Sequence, residues 1–435
     1  MTEALIGFAV LLLLSFLTVP LAFASLIVGI AGFAMMRGLL PALVLASQQV
    51  TDTATNYGLS VIPLFILMGS FIHRSNVANE LYDASYSWLG RFRGGLAMST
   101  VVACAGFSAI CGSTLATAAT MTKVAMPSMR RYNYDDKLSS GTIAAGGTLG
   151  ILIPPSVPLV IYGIIAEQDI GVLFMAGVLP GLLLFALFIG TVRIIVLRNS
   201  DAGPVGEPLD DERRRKAMKA VWPVLGLFIL VLGGIYTGMF TPTEASGVGA
   251  LGAATIAFFR GTLSTPRAWL DCLADAGRTS ATVFAVIFGA LVFGEFINLS
   301  GLPFDIVNFI DSFELSAFGA VVAICLVCIV LGTVFEALGI LVLIIPVFMP
   351  TLIDLNVNLI WFGILVVLVI NLGLITPPVG MNVFTVKNMM PDISLADIFR
   401  GVLPYTLALI LALILVLLVP GIALFIPDLM MGDPL

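Results

Sequence analysis

Glu336 is the acid that most needs an explanation. It lies inside an apolar stretch spanning about 316–350, and an ionised carboxylate at the centre of a bilayer is costly unless something offsets its charge. A carboxylate kept in such a place can hold a cation or carry a proton. The plainer alternative is an acid satisfied by the N–H groups of its own turn. Beside it stand Gly332 and Thr333, and further along come Asn371, Thr376, Pro377, Pro378, Gly380 and Asn382. A second constellation of the same kind precedes it, with Ser108, Gly112, Ser113 and Thr114 followed by Gly146-Gly147-Thr148-Leu149-Gly150 and Pro154-Pro155-Ser156. Proline removes an N–H and clashes with the carbonyl four residues back, so each Pro-Pro pair opens a helix. Glycine lets the backbone turn and approach closely. Freed carbonyls and hydroxyls are hard oxygen donors that suit a cation such as sodium. The ends of broken helices add a negative dipole end for a cation and a positive one for an anion.

Other chemistry is poorly supported. His73 is the only histidine, which excludes a histidine metal site. Cys325-x-x-Cys328 has no third thiol or imidazole nearby and reads as two small apolar residues in a membrane helix. There is no G-x-x-x-x-G-K-[ST] loop for ATP, and the net charge of −6 brings no basic stripe for nucleic acid. Thr117, Thr120 and Thr122 read as hydroxyls that bond back to their own helix. Glu244 and Glu295 read as structural.

The surroundings of these residues are a membrane. The chain is 59% hydrophobic and 11% charged over 435 residues, with mean hydropathy +1.11, whereas a soluble surface needs about 25% charged residues. A span takes roughly 20 apolar residues, and ten runs fit: about 4–20, 22–46, 56–73, 140–165, 171–197, 220–240, 243–259, 279–298, 358–385 and 402–426. Ala22-Phe23-Ala24 resembles a cleavage site, but the preceding residues hold Glu3 and no base, so the first run reads as a retained span. Two further regions, about 95–127 and 316–350, are too long for one span and break at 108–114 and 332–337. Both read as hairpins that enter the membrane and return to the same side.

The halves repeat. Gly150-Ile151-Leu152-Ile153-Pro154-Pro155 matches Gly373-Leu374-Ile375-Thr376-Pro377-Pro378, and Met126-Pro127 matches Met349-Pro350, both at an offset of 223. Gly177-Val178-Leu179-Pro180 matches Gly401-Val402-Leu403-Pro404 with one residue more. Between the copies lies the polar insert with Arg198, Arg213, Arg214, Arg215, Lys216 and Lys219, cytoplasmic by the positive-inside rule. Arg74, Arg91, Arg93, Arg130, Arg131 and Lys137 flank the first hairpin, but Asp305, Asp311, Glu314 and Asp354 flank the second. The copies are therefore expected to be inverted, the first hairpin opening from the cytoplasm, the second from outside, and both termini outside. Inverted repeats with broken helices are a design of secondary transporters.

These residues resemble a known family. Gly112-Ser113-Thr114 with Met126-Pro127, the run 146–156 and Gly373-Leu374-Ile375-Thr376-Pro377-Pro378-Val379-Gly380 are similar to the large membrane subunit (DctM-like) of tripartite ATP-independent periplasmic (TRAP) transporters. The resemblance covers essentially the whole chain. It implies an all-α polytopic fold of the inverted-repeat elevator type, with two re-entrant hairpins and broken helices, in the bacterial inner membrane. Residues 1–93 and 220–315 would be scaffold helices, 94–198 and 316–435 the two moving halves, and 199–219 a cytoplasmic linker. It implies sodium-driven import of a carboxylate such as a C4-dicarboxylate, a sialic acid or another sugar acid, with no cofactor beyond the coupling Na+.

Two partners follow from the same resemblance: a periplasmic binding protein that delivers substrate, and a four-span small subunit. Because the chain starts directly with the first span of the repeat, that subunit is expected as a separate polypeptide. Sodium ligands are expected among Ser108, Gly112, Ser113, Thr114 and Thr148 at one site and Gly332, Thr333, Glu336, Thr376 and Gly380 at the other. The substrate is expected near Ser113, Pro154, Pro155, Ser156, Pro377, Pro378 and Asn382. No arginine stands out as its anchor near the tips. Three other readings stay open: a stand-alone sodium–dicarboxylate or citrate carrier, an intramembrane enzyme and an ion channel.

Overall fold

The computed structural model describes residues 2–207, 211–312, 316–333 and 335–432. Glu314 and Val334 lie outside the described residues, as do the side chains of Arg213 and Asp311. Twenty α-helices and no strand are found among the described residues. The first copy runs α1 (Thr2–Phe16), α2 (Leu21–Arg37), α3 (Leu39–Thr55), α4 (Val61–Arg74), α5 (Val77–Leu89), α6 (Gly95–Cys111), α7 (Thr114–Arg131), α8 (Asp136–Gly146), α9 (Val157–Ile165) and α10 (Ile170–Arg198). The second runs α11 (Asp211–Tyr236), α12 (Pro242–Phe259), α13 (Pro266–Leu299), α14 (Leu302–Ser312), α15 (Ala317–Gly332), α16 (Ala337–Asp354), α17 (Leu359–Ile375), α18 (Met381–Met389) and α19 (Leu395–Leu418), with α20 (Gly421–Met431) appended.

The offset of 223 found in the sequence holds in the helices. It carries Thr114, where α7 begins, onto Ala337, where α16 begins, and Asp136 of α8 onto Leu359 of α17. All ten expected spans are helical, yet four are interrupted. Gly38, at φ +95°, separates α2 from α3, because the chain must turn where only glycine is unstrained. A 3₁₀ turn over Gly147–Ile151 and the Pro154-Pro155 pair separate α8 from α9. Thr376–Gly380 separate α17 from α18, and Pro420 ends the run from α19. Six helices among the described residues are both long and apolar enough to cross a membrane, with six more that are apolar but shorter, among them α2 and α17 of the interrupted runs. In the other direction, α13 starts thirteen residues before the expected 279, at a Thr265 N-cap with Pro266 at the first position.

Small residues decide which helices touch, as expected where lipid supplies no hydrophobic drive between helices. A Cβ on Gly29 of α2 would meet the Phe293 backbone of α13 at 2.8 Å, and one on Gly289 would meet Ser25 Oγ at 2.2 Å. On the other side of the molecule α8 lies against α19 with equal intimacy, since a Cβ on Gly141 would stand 2.3 Å from the Gly401 carbonyl. α4 packs against α12 and α13. At the arginine-rich end the two copies are tied by ion pairs from Arg130 to Asp392 and from Lys137 to Asp397 (3.5 Å), with Arg130 also held by Asp136 of its own copy at 3.1 Å. Arg130 holds the Asp392 carboxyl below the usual carboxylate range. Arg260, at the end of α12, pairs with Glu80 at 2.5 Å and donates to the carbonyls of Ser75 and Ala220, joining four helices through one side chain.

Candidate substrate and cation site

Each hairpin turns where the sequence placed its break, and each packs on the broken helix of its own copy. α6 ends at Gly112, whose φ of +65° reverses the chain, and Ser113 then caps α7 by accepting from the Ala116 N–H at 3.3 Å. The second tip is 333–336, with Glu336 at the N-cap of α16. Its side chain accepts no capping hydrogen bond, so the acid is not satisfied by its own turn. It lines two cavities.

Tip and break meet through glycine. A Cβ on Gly150 would stand 2.3 Å from Ser108 Cβ and 2.8 Å from its carbonyl oxygen. At the equivalent place in the second copy, a Cβ on Gly373 would stand 2.4 Å from the Gly332 carbonyl carbon and oxygen. No other residue type allows the segments to lie that close, so in each copy a carbonyl of the hairpin end lies directly against the break.

The expected ligands divide into those whose hydroxyl is engaged and those left open. Ser108 donates to the Cys104 carbonyl, Thr148 to Ala145 at 2.7 Å, Thr333 to Val330 at 2.8 Å, Thr376 to Leu372 at 2.9 Å and Ser156 to Ile151. A hydroxyl that has donated its proton keeps lone pairs to offer a cation. Thr117 and Thr122 bond back to their own helix as expected, whereas Thr120 reaches across to His73 Nδ1 at 3.3 Å. Glu244 closes a capping box with Thr241, the structural part expected of it. Gly380 takes φ +64° at the N-cap of α18.

Two amides are incompletely paired, Asn382 against the break of the first copy and Asn371 on α17 of the second. Asn382 is fully buried and donates to the Ala144 carbonyl at 3.0 Å, but its Oδ1 has no partner among the described residues. Asn371 is fully buried with neither Oδ1 nor Nδ2 partnered. The offset of 223 makes Asn371 the counterpart of Thr148. A buried polar group without a partner costs about 1–3 kcal/mol, which is retained where something else uses it.

Both tips open onto one cavity of about 280 Å³. Its wall includes Gly112–Ala116 of the first tip, Glu336–Leu338 of the second, and Val157 and Pro158. The N-termini of α7, α9 and α16 therefore converge on it, and each presents a positive dipole end and free N–H groups. Of the residues expected to touch substrate, Ser113 lines this cavity, whereas Pro154, Pro155, Ser156, Pro377, Pro378 and Asn382 are not on its wall. The rest of the wall holds residues that the sequence did not nominate: Ser70, His73 and Arg74 of α4, and Asp275 and Thr279 of α13. The signal for α4 was present, since the run 56–73 ends in a histidine and an arginine. The signal for α13 was lost because its polar first turns fall outside any apolar window.

Comparison with known proteins settles the family. The description "Tripartite ATP-independent periplasmic transporter, DctM component" matches residues 6–422. The chain belongs to this family. Among TRAP relatives, it is 34% identical to the C4-dicarboxylate TRAP transporter large permease protein DctM of Pseudomonas aeruginosa, over 87% of this chain and 88% of that one. It is 31% identical to the sialic acid TRAP transporter large permease protein SiaM of Vibrio cholerae, over 96% and 97% of the two. Its fold is similar to the crystal structure of the Alcanivorax borkumensis YdaH transporter, with TM-score 0.67 at 15% identity over 91% and 90% of the chains. A TRAP permease component is a multi-pass transporter subunit and not an enzyme, which disposes of the intramembrane enzyme.

Proposed function

We propose that this TRAP component is the sodium-coupled carrier for an organic acid, imported across the bacterial inner membrane. The observation that carries the reading is the single cavity walled by both hairpin tips, with three helix N-termini directed into it. Positive dipole ends favour an anion there, while the C-terminal ends of α6, α15 and α17, with their unpaired carbonyls, lie behind the tips where a cation is favoured. One sodium site is assigned to Ser108, Gly112, Ser113, Thr114 and Thr148. The other is assigned to Gly332, Thr333, Glu336, Thr376 and Gly380, with Asn371 added because its buried oxygen has no partner. Bound sodium lowers the cost of the substrate charge between the tips. A membrane potential of 100 mV contributes about 2.3 kcal/mol per net charge moved inward, enough for useful coupling.

The motion assigned to the cycle is an elevator. Residues 94–198 and 316–435 move as one body, tied by Arg130–Asp392 and Lys137–Asp397 and by the α8–α19 glycine contact. Residues 1–93 and 220–315 stay fixed. The cavity opens beside Arg74, at an end of α4 that the loop charges put in the cytoplasm, so this is the inward-facing state. The substrate class is a carboxylate, following the C4-dicarboxylate and sialic acid named for the relatives. The partners are a periplasmic binding protein and a four-span small subunit on its own chain. The relatives named large permease proteins support the separate chain, since they match this one over nearly their full length.

The test is uptake of a panel of labelled carboxylates into proteoliposomes holding this chain and its small subunit, with sodium or potassium outside, with and without the binding protein. Uptake that requires both sodium and the binding protein is expected. Sodium-driven uptake without the binding protein would replace this reading with the stand-alone carrier, and equal uptake in potassium would remove the sodium sites.

A further inference from the structure

The cavity wall formed by α4 and α13 carries an ion pair that the transport reading has not used. Arg74 is the last residue of α4, and its Nη2 donates to Asp275 Oδ2 of α13 at 2.6 Å. Its Nη1 lies 3.7 Å from Asp271 Oδ2, too far for a hydrogen bond. Arg74 and Asp275 both line the cavity shared by the two tips. Among its described lining residues Arg74 is the one fixed cation, and Asp275 and Glu336 are the acids. The guanidinium side chain is 35% exposed. A planar fork of five N–H donors with one of them committed is the usual partner of a carboxylate.

The pair is also one-sided. Most of the site is built twice, yet the offset of 223 places Ile297 at the counterpart of Arg74 and Asp52 at the counterpart of Asp275. The second copy therefore provides no cation at the equivalent position, and the pair is not repeated by the internal symmetry. Asp275 makes the site self-limiting. A carboxylate arriving at Arg74 must share the guanidinium with an acid already in place, so it is held briefly rather than tightly.

We infer that Arg74 is the carboxylate-binding residue of the cytoplasm-facing cavity and that Asp275 is its built-in competitor, a pairing that favours release of the imported organic anion. This inference rests on the carboxylate-transport reading above and adds to it a contact on the fixed wall. The simpler role for the pair is a tether between α4 and α13, and the experiment is chosen to separate the two.

The measurement uses the assembled transporter in proteoliposomes, with binding protein outside and whichever labelled carboxylate of the panel the wild type takes up. Two readouts are taken: initial uptake, and its inhibition by the same unlabelled carboxylate loaded inside. Arg74→Ala is expected to lower uptake by roughly tenfold or more, as for loss of a charge-assisted hydrogen bond. Arg74→Lys should recover part of it, since an ammonium keeps the charge without the fork. Asp275→Asn should lower the internal concentration needed for half-inhibition severalfold. The exchanged variant, Arg74→Asp with Asp275→Arg, rebuilds the ion pair; it should restore the melting temperature in detergent and leave uptake deficient. Wild-type uptake by Arg74→Ala, or rescue of uptake by the exchange, would overturn the inference in favour of a tether. Wild-type protein that moves no carboxylate at all would overturn the transport reading itself, a result distinct from any of these.

Discussion

Replacing Gly373 with alanine tests whether a hairpin end and a broken helix jointly hold a cation. The added Cβ would stand 2.4 Å from the Gly332 carbonyl carbon and oxygen, where ordinary contact begins near 3.4 Å. The end of α15 must therefore retreat by about 1 Å, and since the clash is with backbone no rotamer change relieves it. Overpacking of this kind costs about 1–3 kcal/mol. Coordination distances tolerate only about ±0.2 Å, so carbonyls displaced by five times that amount no longer fit the same ion. If half of the strain, about 0.5–1.5 kcal/mol, falls on the sodium-bound state, sodium affinity drops by roughly two- to tenfold, since about 1.4 kcal/mol is a factor of ten. The assay is initial uptake against external sodium in proteoliposomes, with the melting temperature in detergent measured with and without NaCl. Gly277→Ala on α13 is the control, because nothing lies within 4 Å of its added Cβ. A raised half-saturating sodium concentration in Gly373→Ala alone is expected. Lowered stability with unchanged sodium dependence would refute the idea that this contact builds a cation site.

Asn371→Leu should melt no lower than wild type without sodium, because it removes an amide whose burial costs about 1–3 kcal/mol. It should also lose the sodium-dependent rise in melting temperature that reflects binding, a stabilisation of about 2.7 kcal/mol at a hundredfold excess over Kd; a full rise would clear Asn371 of a ligand role. Glu336→Gln keeps the size of the side chain and removes its charge, so sodium-driven uptake should fall by an order of magnitude or more, and a variant that transports normally would reduce Glu336 to a surface acid. Arg260→Ala leaves Glu80, only 21% exposed, without its cation. Thermal or denaturant unfolding should show a loss of about 2 kcal/mol, below the roughly 3–5 kcal/mol of a fully buried pair, and an unchanged midpoint would show that the α5–α12 junction does not depend on it.

The parts of this molecule legible in the sequence are those where chemistry conflicts with a uniform apolar helix. Two Pro-Pro pairs, the glycine runs beside them and an acid amid leucines each mark a place where a helix must break, and the breaks fall at 112–113, 147–156, 333–336 and 376–380. The offset of 223 was visible for the same reason, since only unusual residues stand out against so apolar a background. Hydropathy failed where a helix is polar for a packing reason. The first turns of α13 carry Asp271 and Asp275, outside the apolar window, so the acid that reaches the cavity was not nominated. Arg74 was read as a topology marker at the end of a span, and its place on the cavity wall depends on contacts between α4 and α13 about 200 residues apart in the chain. Asn371 looked like one amide among several polar residues; only its burial without a partner singles it out.

The most direct test of the account is sodium-driven accumulation of a labelled carboxylate in proteoliposomes containing this chain and its small subunit. The account predicts that an inward sodium gradient with the binding protein drives accumulation above the external concentration, and that omitting either abolishes it. Accumulation that proceeds equally well when potassium replaces sodium would contradict it.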